Sequence, residues 1–155
     1  MKKSPDPVFS ACAIREFRQL YAASPAERRD IVLLGVAGAS VRDMASVLGL
    51  SVETVSSALR IAPATARRKA RNQEVLAVDQ GERLLGLQRI VGHVQSLVER
   101  GGDPSHFDAG RWTGKWLISP HPALGGTCPI EYLDTNAGHE VLSALLESYL
   151  SGNYV

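Results

Sequence analysis

The stretch SVRDMASVLGLSVETVSSALRIAPATARRKAR, residues 40–71, predicts three short helices separated by two tight turns. Ser40 precedes the first helix and Gly49 closes it, Ser51 precedes the second helix, and Pro63 opens the third. Serine caps the free N–H groups at a helix start, proline suits the first helical position, and glycine favours the left-handed conformation that often ends a helix. Short helices joined in this way are typical of a helix-turn-helix.

The helix-turn-helix pattern fits this stretch in two registers. The motif requires a small residue in its first helix, a tight turn, and a second helix whose N-terminal half enters the major groove. In the first register, the helix with Ala45 as its small residue supports residues 52–59, which contact DNA. In the second register, residues 52–59 are the support, with Ser56 as the small residue, and residues 63–71 enter the groove. The first register is the tidier match by local pattern.

Electrostatics favour the second register. Residues 63–71 carry four basic side chains, whereas residues 52–59 carry one acid and no base. Much of a protein's affinity for DNA comes from neutralised phosphates. The predicted DNA-binding residues are therefore Thr65, Arg67, Arg68, Lys69 and Arg71. The alternative is that the basic residues form only a solvated helix face.

Further helices are predicted on both sides of this stretch. Apolar residues at steps of three or four predict a helix from Ala11 to Ala23, after a start expected to be mobile. A capping box at Ser24 predicts another helix from Pro25 to Val36, ended by Gly38. Beyond the basic helix, the sequence Asp79-Gln80-Gly81-Glu82 has the pattern of a capping box for a long apolar helix that ends at Gly101-Gly102.

The last third of the chain predicts three more helical segments. Asp103-Pro104 is expected to cap a helix that carries Phe107, Trp112 and Trp116. Residues 129–133 form a short segment, and Thr135 caps the last helix. Because no segment alternates with a period of two, the predicted fold is all-α. We divide it into an N-terminal extension (1–40), a helix-turn-helix and dimerisation region (41–102) and a C-terminal domain (103–155).

The distribution of charge suggests two different partners. The net charge of +1 combines twelve basic against six acidic residues in 1–72, five against six in 73–115, and none against four in 116–155. The basic N-terminal part suits binding to nucleic acid, and the acidic C-terminal part suits binding to a basic protein surface. With no apolar run long enough for a membrane span and no signal-peptide pattern, a cytoplasmic location is expected. Cys12 and Cys128 show no metal-ligand spacing and are expected to be free thiols, so no metal or cofactor is predicted.

The C-terminal region has an ordered string of turn and apolar residues. Trp116 and Pro120 precede PALGG at residues 122–126, PIEYLD at residues 129–134 follows, and Thr135 and Gly138 complete the string. This string resembles the MbcA/ParS/Xre antitoxins of RES-Xre toxin-antitoxin systems, and residues 62–87 look like the helix-turn-helix of that family. The resemblance implies an Xre-like helix-turn-helix domain packed with a small helical toxin-binding domain, which supports the second register.

The resemblance also implies partners. They are a RES-domain toxin that consumes NAD, operator DNA through which the antitoxin represses its own operon, and a second copy of the chain in a homodimer. By resemblance the toxin-binding residues are Ser151, Gly152, Asn153, Tyr154 and Val155. The alternative is an unimportant frayed terminus. The sequence departs from the family at Ala62 and Cys128, where a serine cap is expected, and this departure should weaken helix starts only.

Two other functional classes remain open. An enzyme would have to assemble a site from Cys128, His121, His139, Asp134 and Glu131, which suit a Cys-His hydrolase by type. No phosphate loop or metal-ligand pair accompanies them, so we predict no catalysis. A free-standing transcriptional regulator with a ligand-sensing C-terminal domain is the second alternative. Trp112 and Trp116, one helical turn apart, are expected to belong mainly to the core.

Overall fold

The computed structural model describes Ala11 and residues 14–151, and this part of the chain is built from helices. The α-helices are α1 (Ile14–Ala22), α2 (Pro25–Leu34), α3 (Ser40–Leu48), α4 (Val52–Ala58), α5 (Pro63–Arg71), α6 (Val78–Gly101), α7 (Ala109–Leu117) and α8 (Asn136–Ser151). Two 3₁₀ turns, Pro122–Leu124 and Pro129–Tyr132, lie between α7 and α8. Within the described residues, the only β feature is an isolated bridge between Ala37 and Val75. The prediction of an all-α fold is confirmed.

Helices α4 and α5 begin where Ser51 and Pro63 predict, and α3 ends where Gly49 predicts. Gly49 ends α3 with φ of 71°, in the left-handed region that a side chain would disfavour. The Ser51 hydroxyl accepts a hydrogen bond from the Thr54 N–H at 3.1 Å, and Pro63 occupies the first turn of α5. Ser40 is not a cap as predicted, because α3 already begins at this residue and the side chain is buried.

Two predicted helix boundaries are wrong by a few residues. Helix α2 ends at Leu34 rather than Val36, since Gly35 takes φ of 121°, which a helix cannot continue through. Helix α6 begins at Val78, and its first free N–H, that of Ala77, donates to the Gln80 side chain at 3.3 Å. The predicted capping box is therefore displaced by two residues. Asp79 lies inside the first turn instead, where it pairs with Arg83 at 3.3 Å.

The predicted cap of α7 is also wrong. Asp108, not Asp103, accepts the N–H of Arg111 at 3.0 Å and starts the helix. Asp103 accepts the N–H of Ser105 at 2.9 Å in a local turn, an alternative that short polar side chains readily offer the backbone. Phe107 consequently lies before the helix rather than on it.

Helix α6 is the centre of the molecule. It packs against α1, α2, α3, α7 and α8 and buries a continuous row of side chains. This row includes Leu84, Leu85, Leu87, Ile90, Val91 and Val94. Full burial of each such side chain contributes roughly 1.5 to 3 kcal/mol. Helix α1 crosses α6 at close range, where a Cβ on Gly92 would come within 2.0 Å of the Phe17 carbonyl oxygen.

Helix α7 packs closely on α3 and joins the last third of the chain to the three short helices. A Cβ on Gly110 would come within 2.7 Å of the Val47 carbonyl oxygen, so these two helices approach backbone to backbone. An ion pair adds a second connection, since Arg60 Nη2 lies 3.0 Å from Asp134 Oδ2. Our division of the chain at residues 40 and 102 stays a prediction, and both segments beyond residue 40 share one hydrophobic core.

Candidate functional site

Helix α5 presents most of its basic side chains to solvent. Arg67, Arg68 and Arg71 are exposed, and the predicted contact residues Thr65 and Lys69 are half-buried. The helix is anchored from beneath by Ala66, which is 3% exposed. Its backbone starts at Pro63, which needs no N–H partner at the first helical position. The structure thus keeps the predicted DNA-binding residues together on one element.

The basic residues of α5 differ in their partners. Arg67 forms an ion pair with Glu53 at the start of α4. Across the described part of the chain, Arg68, Lys69 and Arg71 form no ion pair. These three charges are therefore available to phosphate groups, whereas Arg67 must first exchange its carboxylate partner.

A shallow groove of about 420 Å³ runs beside α5. Its floor is apolar, and three arginines surround it. The lining residues are Val41, Arg42, Val52, Ala66, Arg67, Ala70 and Arg71. An apolar floor with a guanidinium rim matches the sugar and phosphate parts of a nucleic-acid backbone. The groove includes the starts of α3 and α4 as well as α5, so all three short helices contribute to this surface.

The structure has a turn at the helix junction that each helix-turn-helix register requires. The turn of the first register, at Gly49, is covered by Arg111 of α7, whose Nη1 would lie 2.4 Å from a Cβ on the glycine. In the second register the turn contains Arg60, a non-glycine residue with φ of 55°. The Ser56 side chain beneath this turn is fully buried, as its small-residue role requires. The choice between the registers stays a prediction.

An aromatic cluster forms the other exposed feature, in the last third of the chain. The rings of Trp112 and Trp116 stack with centroids 5.9 Å apart, and Tyr149 of α8 lies edge-on to Trp112 at 6.4 Å. The Trp116 Nε1–H donates to the Tyr149 hydroxyl at 2.9 Å, and His121 Nε2 lies at the same distance from that hydroxyl. Trp116 is buried and Trp112 is half-buried, so the two tryptophans differ in what they offer a partner.

The cluster borders an open groove, which we call the aromatic groove. Its volume is about 800 Å³, and apolar surface predominates. It is lined by Trp112, Lys115, Trp116, Ser119, Pro120, His121, Pro122 and Tyr149. Tyr149 lies two residues before Ser151, where α8 ends and our predicted toxin-binding residues begin. Of those residues, Gly152, Asn153, Tyr154 and Val155 and the Ser151 side chain lie outside the described residues, and their role stays a prediction.

Four of the five residues of the hypothetical Cys-His site make contacts with other groups. The Cys128 thiol faces the Ile118 carbonyl oxygen at 3.5 Å. His139 Nε2 donates to the Leu133 carbonyl oxygen at 2.8 Å, and burial lowers the pKa of this imidazole. Asp134 binds Arg60, and His121 binds Tyr149. These contacts serve the turns before α8, and Thr135 caps that helix as predicted, accepting the Gly138 N–H at 2.9 Å.

Within the part of the chain that the structure describes, no three His, Cys, Asp or Glu side chains cluster in a way that could hold a metal ion. None of the helices in that part combines the length and apolarity that crossing a membrane demands.

The two exposed features coincide with two known kinds of domain. Residues 27–89 match the antitoxin Xre-like helix-turn-helix domain, and residues 105–152 match the antitoxin Xre/MbcA/ParS C-terminal toxin-binding domain. The chain is thus an all-helical protein with a helix-turn-helix domain followed by a toxin-binding domain. It is also similar to the Prs ADP-ribosylating antitoxin of Sphingobium sp. (strain YBL2), with 37% identity over 138 residues, 89% of this chain and 87% of that protein. The chain belongs to the Xre/MbcA/ParS antitoxin family.

Family membership confirms the resemblance drawn from the C-terminal string and the interpretation as an antitoxin of a toxin-antitoxin system. Antitoxins and helix-turn-helix proteins of these families are generally not enzymes. Sequence reasoning missed the aromatic groove, because Tyr149 is separated by more than thirty residues from the tryptophans that it contacts. It also missed the Arg60–Asp134 pair, for which the sequence gives no local signal.

Proposed function

We propose that this antitoxin binds and inhibits a RES-domain toxin that consumes NAD, and that it represses its own operon by binding operator DNA. The observation that carries the proposal is that a basic helix-turn-helix surface and a toxin-binding domain share one hydrophobic core, and that the last forty residues of the chain contain no Lys or Arg. The name of the Sphingobium relative refers to ADP-ribosylation. Because ADP-ribose is transferred from NAD in that reaction, the name supports an NAD-consuming toxin.

The proposed toxin contact combines residues 151–155 with the aromatic groove. The groove lies wholly within the residues that match the toxin-binding domain, and Tyr149 connects it to the end of α8. Tryptophan and tyrosine that are partly exposed are typical anchors of protein interfaces. Trp112 provides such an anchor, since Trp116 beneath it already has its N–H bonded within the protein. Absence of catalysis by this chain is part of the same proposal.

Growth rescue tests the toxin half of the proposal. The cognate toxin is expressed with the antitoxin, and wild-type protein should restore growth. Deletion of residues 152–155 should abolish rescue if these residues enter the toxin's cleft, and Trp112→Ala should weaken binding by roughly 2 kcal/mol or more if the groove is an anchor site. Cys128→Ala is the control and should rescue fully. Full rescue by a protein that lacks both the last four residues and Trp112 would contradict the proposed contact.

Operator binding tests the DNA half. Replacing Arg67, Arg68 and Arg71 by alanine should weaken gel-shift affinity and reduce the slope of log affinity against log salt by about 0.9 for each phosphate that is no longer neutralised. Arg15→Ala is a matched control, since Arg15 is equally exposed but lies on α1. Unchanged affinity and slope in the triple variant would contradict α5 as the DNA-binding helix. The triple variant should still neutralise the toxin.

A homodimer is also part of the proposal. Helix-turn-helix proteins usually bind two half-sites as symmetric dimers. On this chain the large apolar side chains Leu33 and Leu34 are more than half exposed at the end of α2, and Val75 lies against the adjacent Gly35. A second copy of the chain would cover these residues. Leu34→Glu should convert the protein to a monomer in light-scattering measurements, and a wild-type protein that is itself monomeric at micromolar concentration would contradict the proposal.

A further inference from the structure

A cavity of about 540 Å³ lies between α2, α6 and α8, away from both surfaces described above. It shares no lining residue with the groove beside α5 or with the aromatic groove. Arg28 and Arg29 of α2 line one side, Arg89 of α6 lines the base, and His139 and Glu140 of α8 line the other side. The cavity therefore joins the helix-turn-helix region to the toxin-binding domain.

Two of these arginines, Arg28 and Arg89, lie close enough for the charge of one to act on the other. Among the described residues neither Arg28 nor Arg89 forms an ion pair. The Nε of Arg89 is buried and has no hydrogen-bond partner there. Burial, followed by the nearby positive charge of Arg28, holds the pKa of Arg89 below its ordinary value. A guanidinium stays protonated in proteins, so its buried N–H and the repulsion between the two charges remain uncompensated.

Other groups around the cavity fit a ligand that carries both negative charge and hydroxyl groups. Pro25 and Asn136, the first residues of α2 and α8, both line it, and helix N-termini bear partial positive charge. Glu82 and Glu140 also line the cavity but do not reach Arg28 or Arg89 as ion-pair partners. The three arginines of the lining outnumber these two carboxylates, so an anion can bind, and the carboxylates can in addition accept hydrogen bonds from hydroxyl groups.

We propose that this cavity binds a small phosphorylated metabolite that also bears hydroxyl groups, with phosphate oxygens at Arg28 and Arg89 and hydroxyl groups at Glu82 or Glu140. Arginine is the side chain best suited to phosphate because its fork of N–H groups matches two oxygens at once. The volume lies within the range of small-molecule sites, about 300 to 1,000 Å³. A bound phosphate would supply the missing acceptor of Arg89 and tie α2 and α8 to α6. The proposal is independent of the toxin's identity.

Titration calorimetry on the full-length protein tests the proposal, with pyrophosphate as the probe and ionic strength held constant with sodium chloride. Saturable binding of one pyrophosphate per chain is expected. Arg28→Gln should weaken it roughly tenfold or more, since one charge-assisted hydrogen bond to phosphate is worth at least that factor. Arg89→Gln should do the same if that variant folds. Arg28 is half-exposed, so Arg28→Gln keeps the core intact and the test does not depend on Arg89.

A matched control separates this cavity from the DNA-binding surface. The double variant Arg68→Gln, Arg71→Gln removes two charges from α5 and should bind pyrophosphate like the wild type. Three results would overturn the proposal: no saturable binding by the wild-type protein, an unchanged affinity in Arg28→Gln, or a loss of binding in the α5 double variant instead. A drop in operator affinity in Arg28→Gln with unchanged pyrophosphate binding would assign Arg28 to DNA and would overturn it as well.

Discussion

Gly114 in α7 lies directly against the carbonyl oxygen of Leu48 in α3, so closely that a Cβ on the glycine would come within 1.9 Å of that oxygen. The neighbour is backbone near the end of a helix, and it cannot rotate away as a side chain could. The toxin-binding domain is thus seated on the helix-turn-helix region through a position that tolerates no side chain.

We predict that Gly114→Ala destabilises the protein by at least about 1 to 3 kcal/mol, which is the usual cost of forcing extra atoms into a packed contact. Urea unfolding followed by circular dichroism measures the change. Gly101→Ala is the matched control, because Gly101 is also helical and a Cβ there meets nothing within 4 Å. That control should be neutral or gain up to about 1 kcal/mol from helix propensity. Equal stability of the two variants would refute the close contact.

Glu53→Gln should distinguish the two helix-turn-helix registers. The change releases Arg67 from its ion pair, so in the second register one more phosphate contact becomes available and the salt slope should steepen by about 0.9. In the first register Glu53 lies in the N-terminal half of the helix that contacts bases, and the variant would change base preference instead. Gel shifts at several salt concentrations, on the operator and on single-base variants of it, separate these results. Glu131→Gln controls for the change in net charge.

The stability of the protein should decrease as the solution becomes acidic. Burial lowers the pKa of both His93 and His139 from the ordinary value of 6.5, and for His93 this outweighs the hydrogen bond to Glu147 at 2.7 Å. His93 Nδ1 is buried without an acceptor in the described structure, so a second N–H would be unsatisfied. Below pH 6.5 the unfolded chain therefore binds more protons at these two histidines than the folded protein does. The stability that comes from keeping both imidazoles neutral is complete above pH 6.5, and it is lost as the pH falls through their pKa values in the folded protein.

Urea unfolding between pH 7.5 and 5 measures this dependence. His139→Gln should flatten it, because the glutamine amide can still donate to the Leu133 carbonyl but cannot take up a proton. The exposed His106 offers a control position, and His106→Gln should leave the slope as it is. A free energy of unfolding that rises toward pH 5 would contradict the direction given by both histidines.

Tyr149→Phe should cost about 1 to 3 kcal/mol of stability, since it leaves the N–H of buried Trp116 without its acceptor. The double variant with Trp116→Phe removes both partners and should cost less than the sum of the two single changes. Thermal or urea unfolding of the four proteins gives the coupling energy. Strict additivity would show that the hydrogen bond contributes nothing to stability.

Much of the fold could be predicted because its signals are local. The bounds of α4 and α5 follow from Ser51 and Pro63, which act on the next few residues of the chain. Two of the wrong boundaries have two residues of the same type nearby. Helix α2 ends at Gly35 rather than Gly38, and α7 begins after Asp108 rather than Asp103, and local sequence alone does not decide between the two candidates. The surfaces were harder to predict. The aromatic groove and the cavity at Arg28 and Arg89 bring together helices distant in sequence, and no spacing rule identifies such contacts.

The position of α6 has a consequence for what a protease could do to this protein. Its buried row is covered by α8 on the toxin-binding side and by α1, α2 and α3 on the DNA-binding side, so removal of α8 exposes the same apolar side chains that hold the other helices. A protease that begins at the C-terminal end and strips away α8 would therefore destroy the whole core in one event. Under the function that we propose, release of the toxin and relief of repression would then coincide, and loss of a single helix would set the timing of both.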